Sequence, residues 1–153
     1  PKYRAKYLEF LIIDFPSIPF PKNPEIYVKL KILGEKLRGL HLLEGGACEN
    51  FISSFPENGS NTISNKIVKK DWELYDEDNG LGRIWINKEQ YFDGIPDYVW
   101  EFYIGNYTPA QKWLKDRVGR KLSFDEIIHY QKIISSLNQT VQIMQEIDSV
   151  DFL

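Results

Sequence analysis

Apolar residues recur at helical spacing in the first third of the chain. Residues 3–13 keep their apolar side chains on one side, which predicts a short helix that ends before a proline-rich connector at 16–24. Asn23 and Pro24 supply an N-cap and a first-turn proline, so a second helix is predicted from there to about Glu44. Its apolar stripe repeats every four and three residues, at Ile26, Leu30, Leu33, Leu37 and Leu40.

The same spacing returns at the end of the chain. Thr108 and Gln111 have the spacing of a capping box, which predicts a helix that reaches about Arg117 and is broken at Gly119. A second capping box begins at Ser123 and opens the longest predicted helix, which extends to about Asp148. Helical spacing is kept throughout it, at Ile127, Tyr130, Ile134, Leu137, Val141, Met144 and Ile147. A pair of C-terminal helices is therefore expected.

Strand patterns occupy the middle of the chain. Residues 62–68 alternate loosely between apolar and polar side chains, which favours a strand. Residues 74–75 and 84–86 flank the turn sequence Asp78-Asn79-Gly80, so a hairpin is predicted there. Residues 98–104 are dense in aromatic and β-branched side chains and predict a further strand.

Residues 45–61 are rich in Gly, Ser, Asn and Pro, a composition that is typical of a loop. We expect a mobile surface loop outside the core, because such a segment buries too little apolar area to offset the entropy of ordering. Its apolar residues Phe51, Ile52 and Phe55 favour the alternative, packing onto the body. Helices, a small antiparallel sheet with a hairpin, and a helix pair ending in one long helix together predict an α+β fold.

Length and composition limit the classes of protein that this chain can be. Its 153 residues fit one domain spanning 1–153, and its hydrophobic content of 42% and charged content of 27% are ordinary for a globular protein. The sequence contains no apolar run long enough for a membrane-spanning helix, so no membrane partner is expected. The single Cys48 fits a reducing compartment, and a cytoplasmic location is predicted.

Basic residues are clustered although the formal net charge is -3. Residues 29–38 hold four cations against Glu35, and residues 112–121 hold five against Asp116. The second cluster consists of Lys112, Lys115, Arg117, Arg120 and Lys121. Clustering matters more than total charge for binding an anionic partner, so this segment is the leading candidate for nucleic-acid contact.

Constellations for catalysis or metal binding are incomplete in the sequence. His41 and His129 lie far apart on predicted helices, and one cysteine makes a closed zinc site improbable. The stretch Pro96-Asp97 to Glu101 begins like a nuclease core but has Tyr103 where a lysine is required. The acidic turn at 76–78 is more typical of a solvated hairpin tip than of a cation site. Neither a catalytic residue nor a metal ligand is predicted.

Aromatic residues make up 14% of the chain. Aromatic rings can stack on unpaired bases, but the more common role in a small α+β domain is packing of the sheet against the helices, and that role is predicted for most of them. Trp113 is the exception that we single out, because it lies between Lys112 and Lys115.

A series of phrases resembles one known family over nearly the whole chain. "YRAKYLEFLIIDFPSIPFP" (3–21), "LGEKLRGLHLLE" (33–44), "GRIWINKEQYFDGIPDYVWEFYIGNYTPAQKWLKDRVGRKLSFDEIIHYQKI" (82–133) and "QEID" (145–148) look like the C-terminal specificity region of type ISP restriction-modification enzymes and related adenine methyltransferase–nuclease fusions. Residues 45–70 carry little of the likeness. The Asn-Pro-Pro-Tyr hallmark of the methyltransferase is absent. The resemblance therefore implies an excised C-terminal fragment of a larger enzyme.

This resemblance implies a non-catalytic target-recognition domain that binds double-stranded DNA beside the methyltransferase domain of the same parent chain. No cofactor is expected in the fragment, whereas the parent is expected to use S-adenosylmethionine and Mg²⁺. Lysine and arginine commonly hold phosphates and also read bases. The predicted DNA-binding residues are Lys112, Lys115, Arg117, Arg120, Lys121, Lys66, Lys69 and Lys70.

Two other roles remain open for the basic cluster at 112–121. Its cations can pair with carboxylates inside the domain, or they can dock the fragment on the methyltransferase. The alternative function is accordingly a helical spacer that packs on the methyltransferase domain without reading bases. A DNA reader is expected to expose a basic face, and a spacer to expose an apolar patch.

Overall fold

The first described helix begins where its cap was predicted. The computed structural model describes residues 8–9, 20–21 and 23–151. Helix α1 spans Pro24–His41, and the Asn23 side chain accepts a hydrogen bond from the Ile26 amide at 2.8 Å. Apart from Leu8 and Glu9, which are helical, the predicted helix at 3–13 lies outside the described residues, as does most of the connector at 16–24.

Three short strands form one antiparallel sheet in the described part of the chain. Strands β1 (Trp72–Asp76), β2 (Leu81–Trp85) and β3 (Tyr91–Pro96) lie in the order β1-β2-β3. The β1–β2 turn is closed by the Asp76 carboxylate, which accepts hydrogen bonds from the Asn79 backbone and side-chain amides. The predicted hairpin is confirmed.

Both other strand predictions are wrong. Residues 98–104 were expected to form a strand, but the third strand lies earlier, at 91–96, and the chain then turns into the short helix α2 (Asp97–Trp100). The helical turn buries Val99 and Trp100 completely, and the Trp100 indole donates to the Lys69 carbonyl at 2.8 Å. Tertiary burial of these aromatic and β-branched residues therefore outweighs their β propensity.

Residues 62–68, which were predicted to form a strand, instead form an irregular segment that is held by individual backbone contacts. Thr62 forms one isolated bridge with Lys121, and the Ser64 and Asn65 amides both donate to the Ile86 carbonyl. The apolar residues that suggested a strand, among them Ile63 and Ile67, are buried in the core. The loose alternation of apolar and polar residues therefore reflects the burial of Ile63 and Ile67, four residues apart, and not the pairing of a strand within a sheet.

Two helices complete the domain. Helix α3 spans Pro109–Lys115, and helix α4 spans Phe124–Ser149. The capping box of α4 is present, with Ser123 and Glu126 exchanging hydrogen bonds at 3.0 and 3.1 Å. The box predicted at Thr108 does not form, because the Gln111 amide instead donates to the Trp100 carbonyl at 3.0 Å.

The core lies between the inner face of the sheet and the helices α2, α3 and α4. Phe92 from β3 contacts Tyr130 of α4 with ring centroids 4.5 Å apart, and Trp113 packs on the other side of Tyr130 at 5.1 Å. Trp100, Leu114 and Ile134 are almost fully buried around them. The predicted packing role of the aromatic residues is confirmed for these side chains, and the α+β fold is established.

The segment 45–61 is the largest departure from expectation. It includes a 3₁₀ helix at Gly46–Glu49, and Cys48 within that helix is fully buried. Ser54 bridges Asp93 of β3, and the Phe55 ring lies 4.7 Å from that of Phe92. The expectation that this segment lies outside the core is therefore wrong, because buried partners satisfy its backbone.

Gly94 is what allows the segment to approach the sheet so closely. Its φ is +74°, and a Cβ at this position would lie 2.8 Å from the Ile52 carbonyl oxygen. Glycine alone accommodates both the positive φ and the contact without strain. The loop and β3 consequently pack as one unit.

Candidate nucleic-acid interface

The predicted basic corner at 112–121 is built around one carboxylate. Arg120 Nη2 lies 3.0 Å from Glu126 Oε1, and Arg117 Nε lies 3.5 Å from the same oxygen. The Arg117 guanidinium also sits 3.8 Å from the Trp113 ring centroid and donates to the Trp113 carbonyl at 3.1 Å. Arg117 is therefore a packed residue that braces α3 against α4, with only 24% of its side chain exposed.

Glu126 is held as an anion by this arrangement. The hydrogen bond from the Ser123 amide lowers the pKa of the Glu126 carboxyl below its ordinary value, and Arg120 and Arg117 lower it further. The pKa of the nearby His129 is also lowered, first by burial and then by the charge of Arg117. The N-terminus of α4 already has its carboxylate, which disfavours a phosphate at the same place.

Ion pairs occupy half of the predicted DNA-binding residues. Besides the two arginines, Lys112 pairs with Asp116 at 2.7 Å, and Lys69 pairs with Glu101 at 2.9 Å. The other four have no ion pair among the described residues, and the closest polar contact of Lys115 is 3.5 Å, to Gln111. These four cations are Lys66, Lys70, Lys115 and Lys121.

Backbone hydrogen bonds connect the basic corner at 112–121 to the segment that holds the other predicted cations, Lys66, Lys69 and Lys70. The amides of Gly119 and Leu122 donate to the carbonyls of Ile63 and Asn61, at 2.7 and 2.8 Å. Immediately afterwards, the amides of residues 64–65 donate to Ile86 at the end of β2. The segment 61–71 therefore runs from the basic corner to the sheet.

Four exposed lysines follow this route, and we call them the basic strip. Lys121 stands opposite Thr62, Lys66 and Lys70 belong to the segment itself, and Lys88 follows Ile86 in the β2–β3 connection. None of the four has an ion-pair partner in the described part of the chain. Lys88 was missed from the sequence, because a single lysine in a short turn carries no distinguishing pattern.

A polar cleft opens along the middle of the basic strip. Its volume is 740 Å³, and its lining residues are Ser64, Asn65, Lys66, Asp71, Trp85, Asn87 and Lys88. The Asp71 carboxylate is engaged by the Val68 amide at 2.7 Å, and the Asn65 side-chain amide donates to the Trp85 carbonyl at 3.3 Å. The two lysines are therefore the charges in the cleft that are left to meet an external anion.

The outer face of the sheet borders this cleft and carries a stacked arrangement that we call the ladder. It consists of Tyr75, Arg83, Tyr91 and Trp85. The Arg83 guanidinium carbon lies 4.7 Å from the ring centroids of both Tyr75 and Tyr91, and the rings of Tyr91 and Trp85 are 4.6 Å apart. Trp85 belongs to both the ladder and the cleft.

Two carboxylates fix the ladder in place. Glu73 accepts a hydrogen bond from the Trp85 indole at 2.8 Å, and Asp93 Oδ1 lies 3.4 Å from Arg83 Nε. Burial raises the pKa of the Tyr75 phenol, and the Asp93 charge raises it further, so this ring remains protonated at neutral pH. Sequence reasoning missed the ladder, because the antiparallel register that aligns its members is not visible in the sequence.

An apolar surface lies on α1, toward the opposite end of the long helix. Tyr27, Val28 and Ile32 are each about half exposed. Lys29 of the same helix pairs with Glu146 near the C-terminus of α4 at 3.8 Å. Because Glu146 lies 23 residues beyond Ser123, this surface is about 35 Å along α4 from the basic corner.

Candidate metal and membrane features are absent from the described residues. No group of three or more His, Cys, Asp or Glu side chains in that part of the chain is arranged to hold a metal ion. The acidic turn is organised by the contacts of Asp76 with Asn79, and both histidines are exposed. Among the described helices, none has the length and apolar character that a membrane crossing requires.

A family model now identifies the domain. The model for the type ISP C-terminal specificity domain matches residues 1–146. The chain belongs to this family. No curated protein matches the chain.

One solved structure resembles the specificity domain in fold. It is described as the "ATP-dependent Type ISP restriction-modification enzyme LlaBIII bound to DNA". The superposition has a TM-score of 0.58 at 18% sequence identity, and it covers 99% of this chain. The specificity domain spans 10% of the length of that enzyme.

Proposed function

We propose that the chain is the DNA-binding target-recognition domain of a type ISP restriction-modification enzyme, without catalytic residues of its own. The observation that carries this proposal is the basic strip, whose lysines are exposed and have no ion pair among the described residues, while the neighbouring arginines are engaged within the domain. Exposed, unpaired lysines are suited to phosphate contact. The similarity in fold to an enzyme described as bound to DNA supports the same assignment.

The resemblance to methyltransferase–nuclease fusions supports a wider proposal for the parent chain. It would be a cytoplasmic restriction enzyme with adenine-specific methyltransferase activity, and it would use S-adenosylmethionine and Mg²⁺ bound outside this domain. Specificity in such an enzyme requires the domain to hold the duplex in a fixed register relative to the methyltransferase. The phosphate contacts of the basic strip would supply that register.

Fluorescence anisotropy with duplex DNA over a salt series tests the proposal. Each phosphate contact contributes about 1 to the slope of log affinity against log salt. Replacing Lys66, Lys88 and Lys121 together by Ala should therefore flatten the slope by roughly 3 and weaken binding to all sequences alike.

The α1 helix provides a matched control. Replacing Lys29, Lys31 and Lys36 by Ala removes the same charge from the other end of α4, so the net charge changes equally in both variants. Binding that responds equally to both triple changes would reflect net charge alone and would overturn the assignment of the basic strip. Absence of salt-dependent binding by the unmodified chain would overturn DNA binding itself.

The exposed apolar residues of α1 favour a second function, which is docking on the methyltransferase domain. Tyr27, Val28 and Ile32 form the type of surface that a spacer would cover with its partner. The two functions use different ends of the domain and are compatible. Changing Val28 and Ile32 to Ser should weaken association with a separately purified methyltransferase domain and leave the DNA salt slope unchanged.

A further inference from the structure

The ladder on the outer face of the sheet presents an arginine that is prepared for a ligand. Arg83 is clamped between Tyr75 and Tyr91, and its Nε faces Asp93. The contact with this carboxylate is made by Nε, and neither Nη atom has a hydrogen-bond partner among the described residues. The guanidinium is thus held by two aromatic rings and by a carboxylate at Nε, while its Nη atoms are left without a hydrogen-bond partner in the described part of the chain.

An arginine held in this way is suited to reading a base. The long side chain loses much of its conformational freedom already in the folded domain, so less is lost when it binds. An ordered guanidinium presents parallel N–H donors, which match the O6 and N7 acceptors of guanine in the major groove. A flexible lysine would supply charge without this geometry.

The charges around Arg83 favour a base over a phosphate as its ligand. Glu73 and Asp93 flank Arg83, so the ladder and the two carboxylates that hold it together carry one positive and two negative charges. Such a surface repels a phosphate but still offers hydrogen-bond donors to an uncharged base edge. The lysines of the adjacent cleft, Lys66 and Lys88, carry the positive charge that a phosphate requires.

We propose that Arg83 is a specificity-determining residue that reads a guanine, while the cleft beside Trp85 holds the neighbouring phosphates. This inference rests on the proposed function in DNA binding. The inference specifies which side chain discriminates between bases and which base that side chain selects. Tyr75, Tyr91 and Asp93 act as positioning residues for Arg83.

Selection of bound duplexes from a library with a randomised segment tests this role. The unmodified chain should enrich a guanine at one fixed position. Arg83→Met keeps a long side chain between the two tyrosine rings but removes the donors, so it should lose that preference. The loss should amount to roughly tenfold to a hundredfold in discrimination at that position, with the remaining positions unchanged.

Two comparisons complete the test. Lys66→Ala should weaken all sequences alike and retain the guanine preference, because a phosphate contact carries no sequence information. Thermal melts of both variants establish that the domain is folded. An unchanged preference in Arg83→Met, with a salt slope reduced by about 1, would show Arg83 to be a phosphate contact and overturn the inference.

The remaining outcomes separate the two proposals. Salt-dependent binding by the unmodified chain without any sequence preference would overturn the role of Arg83 and leave the proposed DNA binding standing. Absence of binding would overturn the proposed function and the inference with it.

Discussion

A helix cap and two arginine side chains converge on the Glu126 carboxylate. One carboxylate oxygen accepts the Ser123 amide at 3.0 Å, and the other faces Arg117 and Arg120. The capping motif was evident from the sequence, since it depends on residues three apart. The arginine contacts were not, because they depend on the turn at Gly119, whose φ of +82° returns the chain toward α4.

Replacing Glu126 by Gln should reduce stability in a pH-dependent way. The folded-state pKa of Glu126 is lowered, so its stabilising contribution is present above the ordinary value of 4.5 and is lost as the pH falls through the lowered folded-state pKa. Gln retains the capping acceptor but not the charge. At neutral pH we expect the free energy of unfolding to fall by about 1–2 kcal/mol, and this difference should disappear in acid.

Melting curves of the two proteins between neutral and acidic pH measure this difference. Asp125→Asn is the control, since it removes an exposed carboxylate from the same helical turn, and this carboxylate has no ion pair with any of the residues that the structure describes. A gap between the unmodified chain and Glu126→Gln that stays constant through the acid range would contradict the assigned role of the charge.

Element by element, the sequence is most informative where structure depends on local signals. The helix starts at Asn23 and Ser123 and the hairpin turn follow from neighbouring residues, and each is confirmed. The strand expected at 98–104 is wrong, because burial of Val99 and Trp100 against other elements determines that conformation. Apolar spacing identifies what is buried but not which partner buries it.

The segment 45–61 shows the same limit for polar residues. A polar stripe on α4 supplies its partners: Gln131 donates to the Ser53 carbonyl at 2.7 Å, and the Ile52 amide donates to Ser135 at 3.2 Å. Ser136 and Gln139 contact Cys48 and Ala47. Apolar periodicity along α4 gave no indication that these polar side chains are bonded to the loop.

Gln131→Ala should therefore destabilise the domain and loosen this segment. It leaves the buried Ser53 carbonyl without its partner, which costs about 1–3 kcal/mol. Urea denaturation measures the change, and limited proteolysis should show faster cutting within 45–61. The exposed Gln142 on the same helix provides the control, and equal effects of Gln131→Ala and Gln142→Ala on both measurements would contradict the bracing role of the stripe.

At the scale of the whole molecule, some cations are engaged within the domain, and others are exposed without an ion pair among the described residues. The sequence shows that cations cluster at 112–121, but it could not distinguish those that hold the domain together from those that have no ion pair among the described residues. Packing makes that distinction: Arg117 is stacked and paired, whereas Lys121 is exposed without an ion pair among the described residues. A net charge of -3 is therefore compatible with a local anion-binding surface.

Replacing Arg117 and Arg120 together by Ala should separate the structural cations from the binding ones. The change uncovers Trp113 and leaves Glu126 without either arginine, and we expect a loss of about 2 kcal/mol. For a domain of this size the melting temperature should then fall by several degrees. The salt slope for duplex DNA should stay close to that of the unmodified chain, because the lysines of the basic strip are retained.

Lys66→Ala with Lys121→Ala is the reciprocal control, with a slope reduced by about 2 and an unchanged melting temperature. The opposite assignment of the two effects would mean that the arginines contact phosphate and that the corner, rather than the basic strip, is the surface that holds DNA.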